Sequence, residues 1–134
     1  LSGNPLLKLV KMKILAIDDD QLVLLPLSKR LEELGYKVCT TTNPKKGTEL
    51  FGSFKPDLII VDINMPKFSG LEYIRYVRKI KNSSIPIIVL SGNTSIEVMS
   101  EGFKLGISDY IKKPISLSEI CNRIKRINIY FRTH

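Results

Sequence analysis

Five short runs rich in apolar and β-branched residues recur along the chain, at residues 13–17, 36–41, 58–61, 87–90 and 109–112. Each is followed by a stretch whose apolar residues return at helical spacing. Few architectures accept such a pattern. Parallel strands need crossovers, the crossovers are right-handed, and helices then cover both faces of the sheet. The runs at 58–61 and 87–90 are apolar at every position, as a strand covered on both faces requires. The expected fold is an α/β sandwich, a doubly wound parallel sheet of five strands with helices on both faces.

The helical stretches are uneven. Residues 22–34 end at Gly35 and contain Pro26 beyond the first turn, where proline removes a hydrogen-bond donor, so a kink or a late start is expected there. Asn43 and Pro44 turn the chain into a short helix over 45–51. Leu71, Ile74, Val77 and Ile80 make a third apolar stripe, and Ile96, Met99 and Phe103 make a fourth before Gly106. Leu117, Ile120, Cys121, Ile124 and Ile127 line a fifth.

In an open parallel sheet the binding crevice lies outside the carboxyl ends of the strands. Asp18, Asp19, Asp62, Ser91 and Lys113 all fall at such ends. Singly, each has an ordinary explanation. Asp18, Asp19 and Asp20 suit the positive end of the next helix, and Asp20 reads as its cap; Ser91 fits a turn, and Lys113 fits a solvated surface. Together at one edge they make a pocket suited to a divalent cation and a phosphoryl group. Clustered carboxylates repel one another, and a cation relieves that repulsion. Mg²⁺ is the expected ion, with Mn²⁺ as an acceptable substitute, because oxygen ligands and retained waters suit it at a phosphate site. Zinc is disfavoured: the sole histidine is the terminal His134, and Cys39 and Cys121 lack ligand spacing.

Composition narrows the remaining classes. At 134 residues the chain fits one domain, expected over 12–131, with an extension or linker over 1–11 and a tail over 132–134. The cysteines read as small buried hydrophobes in a reducing compartment, and no apolar run approaches a membrane span, so a cytoplasmic location and no membrane partner are expected. A net charge of +8 raises the question of nucleic acid. Yet the basic clusters, Arg75/Arg78/Lys79/Lys81 and Arg123/Lys125/Arg126, contain no aromatic stacking platform, and four of the 13 acidic residues gather at two strand ends. A solvated basic surface, with nucleic acid not an expected partner of this domain alone, is the simpler reading.

Four motifs carry a family resemblance: Ile-Asp-Asp-Asp at 17–20, Val-Asp-Ile-Asn-Met-Pro-Lys-Phe-Ser-Gly at 61–70, Leu-Ser-Gly at 90–92 and Tyr-Ile-Lys-Lys-Pro at 110–114. Over residues 13–130 the chain resembles the receiver domain of two-component response regulators. The resemblance implies a flavodoxin-like strand order 2-1-3-4-5. It implies Asp62 as phosphoacceptor, and a metal held by Asp18, Asp19, Asp62 and the backbone carbonyl of Asn64. Ser91 and Lys113 would contact the phosphoryl oxygens, with a cis Lys113–Pro114 bond aiming the lysine inward. Ser91 and Tyr110 would act as the switch, and Asn64 and Asn93 would tune dephosphorylation. The implied partners are a sensor histidine kinase or phosphotransfer protein, and a downstream protein target or an output domain elsewhere in a longer protein. A homodimer through the face of the fourth helix, fifth strand and fifth helix is the corresponding self-association. Such a domain is a signalling phosphoacceptor rather than an enzyme, catalysing only its own phosphorylation and dephosphorylation.

Three features depart from the family pattern. Ser91 stands where threonine is also common, Gly92 follows it without a side chain, and Pro26 interrupts the first helix. Two other classes compete. A small phosphohydrolase that forms an aspartyl phosphate needs a second acid two residues after the nucleophile, where this chain has Asn64. A basic nucleic-acid-binding α/β module would have to tolerate an acidic pocket at its crevice.

Overall fold

The alternating runs fold into β1 (Lys13–Ile17), α1 (Gln21–Glu33), β2 (Lys37–Thr41), α2 (Pro44–Phe54), β3 (Leu58–Asp62), α3 (Gly70–Arg75), β4 (Ile87–Ser91), α4 (Ile96–Lys104), β5 (Asp109–Lys112) and α5 (Leu117–Thr133). The computed structural model describes residues 11–92 and 94–133, so most of the expected extension, Asn93 and His134 lie outside the described residues. All strand pairs are parallel, and the order is β2-β1-β3-β4-β5. The flavodoxin-like order is therefore observed.

Alternation along the strands builds two separate cores. Ile14, Ala16, Leu58, Ile60, Ile88 and Leu90 face α1 and α5, meeting Leu24, Leu27, Leu31, Ile120 and Ile124. Leu15, Ile17, Ile59, Val61, Ile87 and Val89 face the opposite side and meet Leu71, Tyr73, Ile74 and Val77. Every residue of β3 and β4 is buried, as their unbroken apolar runs require.

One local expectation is narrowed and another corrected. Helix α1 begins at Gln21, capped by the Asp20 carboxylate accepting from the Leu22 amide at 2.9 Å, so Pro26 does not delay it. Pro26 is exposed, on the side of the helix where water can serve the carbonyl its ring leaves unpaired. The third stripe breaks at its end. After Arg75 the helix widens into a π segment, Tyr76–Ile80, with the Lys81 amide donating to the Tyr76 carbonyl at 3.0 Å. The wider turn rotates the following positions, so Val77 is buried while Ile80 is 72% exposed.

The widened turn also aims Arg78. Its guanidinium donates to the carbonyls of Leu105 at 2.7 Å, Ser83 at 2.9 Å and Gly106 at 3.0 Å. It therefore caps the end of α4, and burial lowers its pKa from the ordinary arginine value. Arg75 pairs with Glu101 at 3.4 Å, and Arg123 pairs with Asp109 and with Glu119. Arg75 and Arg78 of the first basic cluster and Arg123 of the second are thus engaged with the protein's own oxygens.

Candidate functional site

The site grows from the ends of β1, β3, β4 and β5, and backbone bonds continue past the strands to pin it. The Asp18 amide donates to the Thr41 carbonyl at 3.2 Å, the Ile63 amide to Leu90 at 2.9 Å, and the Lys113 amide to Ser91 at 2.7 Å. Asp18 and Asp62 are almost wholly buried. Lys113, joined to Pro114 by a cis peptide bond, has its ammonium beside both of them. Its Nζ lies 2.8 Å from Asp18 Oδ2 and 3.2 Å from Asp62 Oδ2.

Asp19 completes the acid group at the exposed side. One carboxylate oxygen from each of Asp18, Asp19 and Asp62 lies within 4.8 Å of the others. Asp18 and Asp62 are also held by local amides: Asp20 N–H donates to Asp18 Oδ1 and Asn64 N–H to Asp62 Oδ1, both at 2.9 Å. Asp18 Oδ2 faces the lysine at close ionic range but outside hydrogen-bond alignment, so it is a buried oxygen without a hydrogen-bond partner.

Burial raises the Asp18 pKa, and the nearby Asp62 adds to that, against the pull of Lys113 and the Asp20 amide. For Lys113, burial alone acts to lower the pKa, but the two carboxylates together outweigh it and the net shift is upward. One ammonium shared among three carboxylates leaves the cluster short of positive charge. Hard oxygen donors gathered round a single ammonium fit a Mg²⁺-like ion.

Close packing protects the seat of Asp62. A Cβ at Gly70 would stand 2.2 Å from the Asp62 carbonyl oxygen and 2.7 Å from the Ile63 Cα, so only glycine admits the start of α3 so near the end of β3. The Ser69 hydroxyl caps that helix, accepting from the Leu71 amide at 3.1 Å. Farther back, the buried Tyr73 hydroxyl donates to the Gly47 carbonyl at 2.8 Å and ties α3 to α2.

Ser91 and Asn64 meet through Thr94. Ser91 is buried beside the acids, but its hydroxyl hydrogen-bonds Thr94. Asn64 is exposed, and its side-chain oxygen accepts from the Gly92 amide at 3.0 Å and the Thr94 hydroxyl at 2.9 Å. Thr94 is the residue that sequence reasoning missed. Its only signal is its place in the polar run Ser-Gly-Asn-Thr after β4, a composition equally suited to any turn. Tyr110 stands apart, 45% exposed, meeting Phe103 edge-on with ring centroids 6.2 Å apart. With Ser91, Thr94, Ile96 and Met99 these two rings line a cleft of about 560 Å³. Ile96 and Phe103 border that opening rather than filling the core.

A doubly wound sheet with acids after β1, a buried aspartate closing β3 and a lysine after β5 defines a receiver-type signalling domain. The chain belongs to the response regulator receiver domain family, whose model matches residues 14–125. It is 36% identical over 115 residues to the sensory transduction protein BceR of Halalkalibacterium halodurans, covering 86% of this chain and 49% of that protein. It is 38% identical over 117 residues to the transcriptional regulatory protein RprY of Bacteroides fragilis, covering 87% of this chain and 49% of that protein. The chain thus spans about half the length of these curated relatives. Among solved structures, the receiver domain of the Francisella response regulator 1452 superposes with a TM-score of 0.81 at 30% identity, covering 90% of this chain and 99% of that one. A CheY-like receiver domain from Methanospirillum hungatei gives 0.83 at 25% identity, covering 90% and 95%. Among the described residues no helix is long and apolar enough to cross a membrane.

Proposed function

We propose that this domain is the phosphoacceptor of a cytoplasmic two-component relay, with Asp62 taking a phosphoryl group from a phosphohistidine on a sensor kinase or phosphotransfer protein. The observation that carries this reading is the placement of the Lys113 ammonium within 2.8 Å and 3.2 Å of two buried carboxylates, Asp18 and Asp62, with Asp19 beside them. An Asp62 carboxylate oxygen attacks phosphorus in line. The P–N bond breaks with its electron pair passing to the imidazole, and an acyl phosphate remains on Asp62.

The chain's part in this transfer is positioning and neutralisation. The Asn64 amide holds one oxygen of Asp62 at 2.9 Å and so orients the other. Lys113 sits where it can follow the incoming phosphoryl oxygens as they displace its contact to Asp62. Asp18, Asp19, Asp62 and the Asn64 carbonyl would hold Mg²⁺, or Mn²⁺ in its place. Bound there, the ion supplies charge neutralisation at the phosphoryl oxygens. Water later hydrolyses the acyl phosphate, and Asn64 and Asn93 set its lifetime. An unchanged decay of the phosphorylated form in Asn64→Asp would remove Asn64 from that role.

Phosphorylation adds roughly −1.5 to −2 charges and new acceptor oxygens. Ser91 turns toward them, Tyr110 moves into the space beside β5, and the face of α4, β5 and α5 changes for a downstream protein, an output domain in a longer protein, or a second copy of the chain. To test the acceptor, the protein is incubated with Mg²⁺ and a small phosphodonor and weighed intact. One added phosphate, lost in Asp62→Ala and without Mg²⁺, is the expected result; equal labelling of Asp62→Ala would overturn the assignment.

A further inference from the structure

The direction of three hydrogen bonds around Asn64 follows from one backbone group. The Gly92 amide can only donate, so the Asn64 atom that meets it at 3.0 Å is the carbonyl oxygen and not the amide nitrogen. That same oxygen lies 2.9 Å from the Thr94 hydroxyl, so Thr94 spends its single hydrogen on Asn64. In the contact between the Thr94 and Ser91 hydroxyls, Ser91 is then the donor. Its one proton is committed to Thr94, away from Asp62.

We propose that Thr94 is a positioning residue that holds the Ser91 hydroxyl in its resting orientation and thereby biases the domain against the phosphorylated arrangement. The inference rests on the phosphoacceptor reading above. For Ser91 to donate to a phosphoryl oxygen on Asp62, its bond to Thr94 has to break, while Thr94 keeps its bond to Asn64. Each link of such a chain polarises the next, so breaking the Ser91 link weakens the one that Thr94 keeps to Asn64. The chain also staples the loop after β3 to the loop after β4, which leads into α4. Turning Ser91 would loosen that staple on the β4 side. Thr94 would thus couple the phosphoryl site to the start of α4.

The test measures binding of beryllofluoride with Mg²⁺, a phosphoryl mimic, to four proteins: wild type, Thr94→Val, Thr94→Ser and Ser91→Ala. A fifth combines Thr94→Val with Ser91→Ala. Valine keeps the shape of threonine without its hydroxyl, so Ser91 loses its resting partner. Thr94→Val is expected to bind about 3- to 10-fold tighter than wild type, the range of one net neutral hydrogen bond. Thr94→Ser, which keeps the hydroxyl, should behave as wild type. The gain should vanish in the Ser91→Ala background, because no proton is left to release. A gain of equal size with and without Ser91 would mean a merely structural effect and overturn the proposal, as would no gain in Thr94→Val while wild type binds the mimic. Failure of wild type itself to bind the mimic, with no Asp62 labelling, would overturn the phosphoacceptor reading and this inference with it. Melting curves of all five confirm that the comparison is made between folded proteins.

Discussion

The two rims of the pocket hold their side chains by different means. On one rim Asp18, Asp62 and Lys113 are charged, and their backbones lie at or beside ladder bonds that run past the strand ends. On the other, Asn64, Thr94 and Ser91 are neutral and joined through side-chain oxygens across two loops. The charged rim is held by ion pairs and by amide bonds at the strand ends. The neutral rim can rearrange, since a hydroxyl exchanges one acceptor for another at small net cost. On the proposed reading, chemistry belongs to the first and its consequence to the second.

The sharpest way to break that division is Asp62→Ala, which removes the acceptor and should abolish labelling measured by intact mass, while leaving the neutral rim's three hydrogen bonds in place. Gly70→Ala comes next. Its methyl meets backbone atoms that cannot swing away, so the expected cost is about 1–3 kcal/mol or more in urea unfolding, with slowed labelling because the seat of Asp62 shifts.

Within the charged rim, opposite signs are expected. Lys113→Met strands two buried carboxylates, and because the lysine side chain keeps 24% exposure the cost should fall near 1–3 kcal/mol, below that of a fully buried pair. Asp18→Asn instead relieves repulsion and raises the melting temperature without divalent ions. Mg²⁺ at ten times its Kd should stabilise wild type by roughly 1.4 kcal/mol and Asp18→Asn by much less. A similar Mg²⁺ response in both would place the ion elsewhere.

The smallest effect lies in the scaffold. Tyr73→Phe removes the hydroxyl's bond to the Gly47 carbonyl and should cost about 0.5–1.5 kcal/mol while labelling proceeds normally. Burial, and to a lesser degree Tyr76, raises the Tyr73 pKa above 10.0. Its stabilising contribution is therefore complete below pH 10 and is lost as pH rises toward the folded-state value. Tyr73→Phe should flatten that alkaline loss in melting experiments.

Much of this was legible in the chain itself. Unbroken apolar runs at 58–61 and 87–90 required covered parallel strands, and once the sheet was parallel, Asp18, Asp62 and Lys113 had to meet at one edge. Strand periodicity and the rule for where crevices open are properties of local pattern and chain handedness, so they survive without coordinates. The widened turn at Tyr76–Ile80 was not legible: Ile80 continues a three-residue stripe in sequence, and the contacts that accompany the wider turn, such as Arg78 to Leu105, join residues far apart in the chain.

What the linear order of residues determined by itself was the fold class, the strand order through its family motifs, and which charged groups share a pocket. Tertiary structure alone decided which hydroxyl answers which acceptor, why residue 70 has no room for a side chain, and how Arg78 is spent. The physical reason is range. Periodicity and helix capping are settled among neighbours a few residues apart, whereas a hydrogen bond between Asn64 and Thr94, or a contact between Gly70 and the carbonyl of Asp62, exists only after separate strands have brought their loops together.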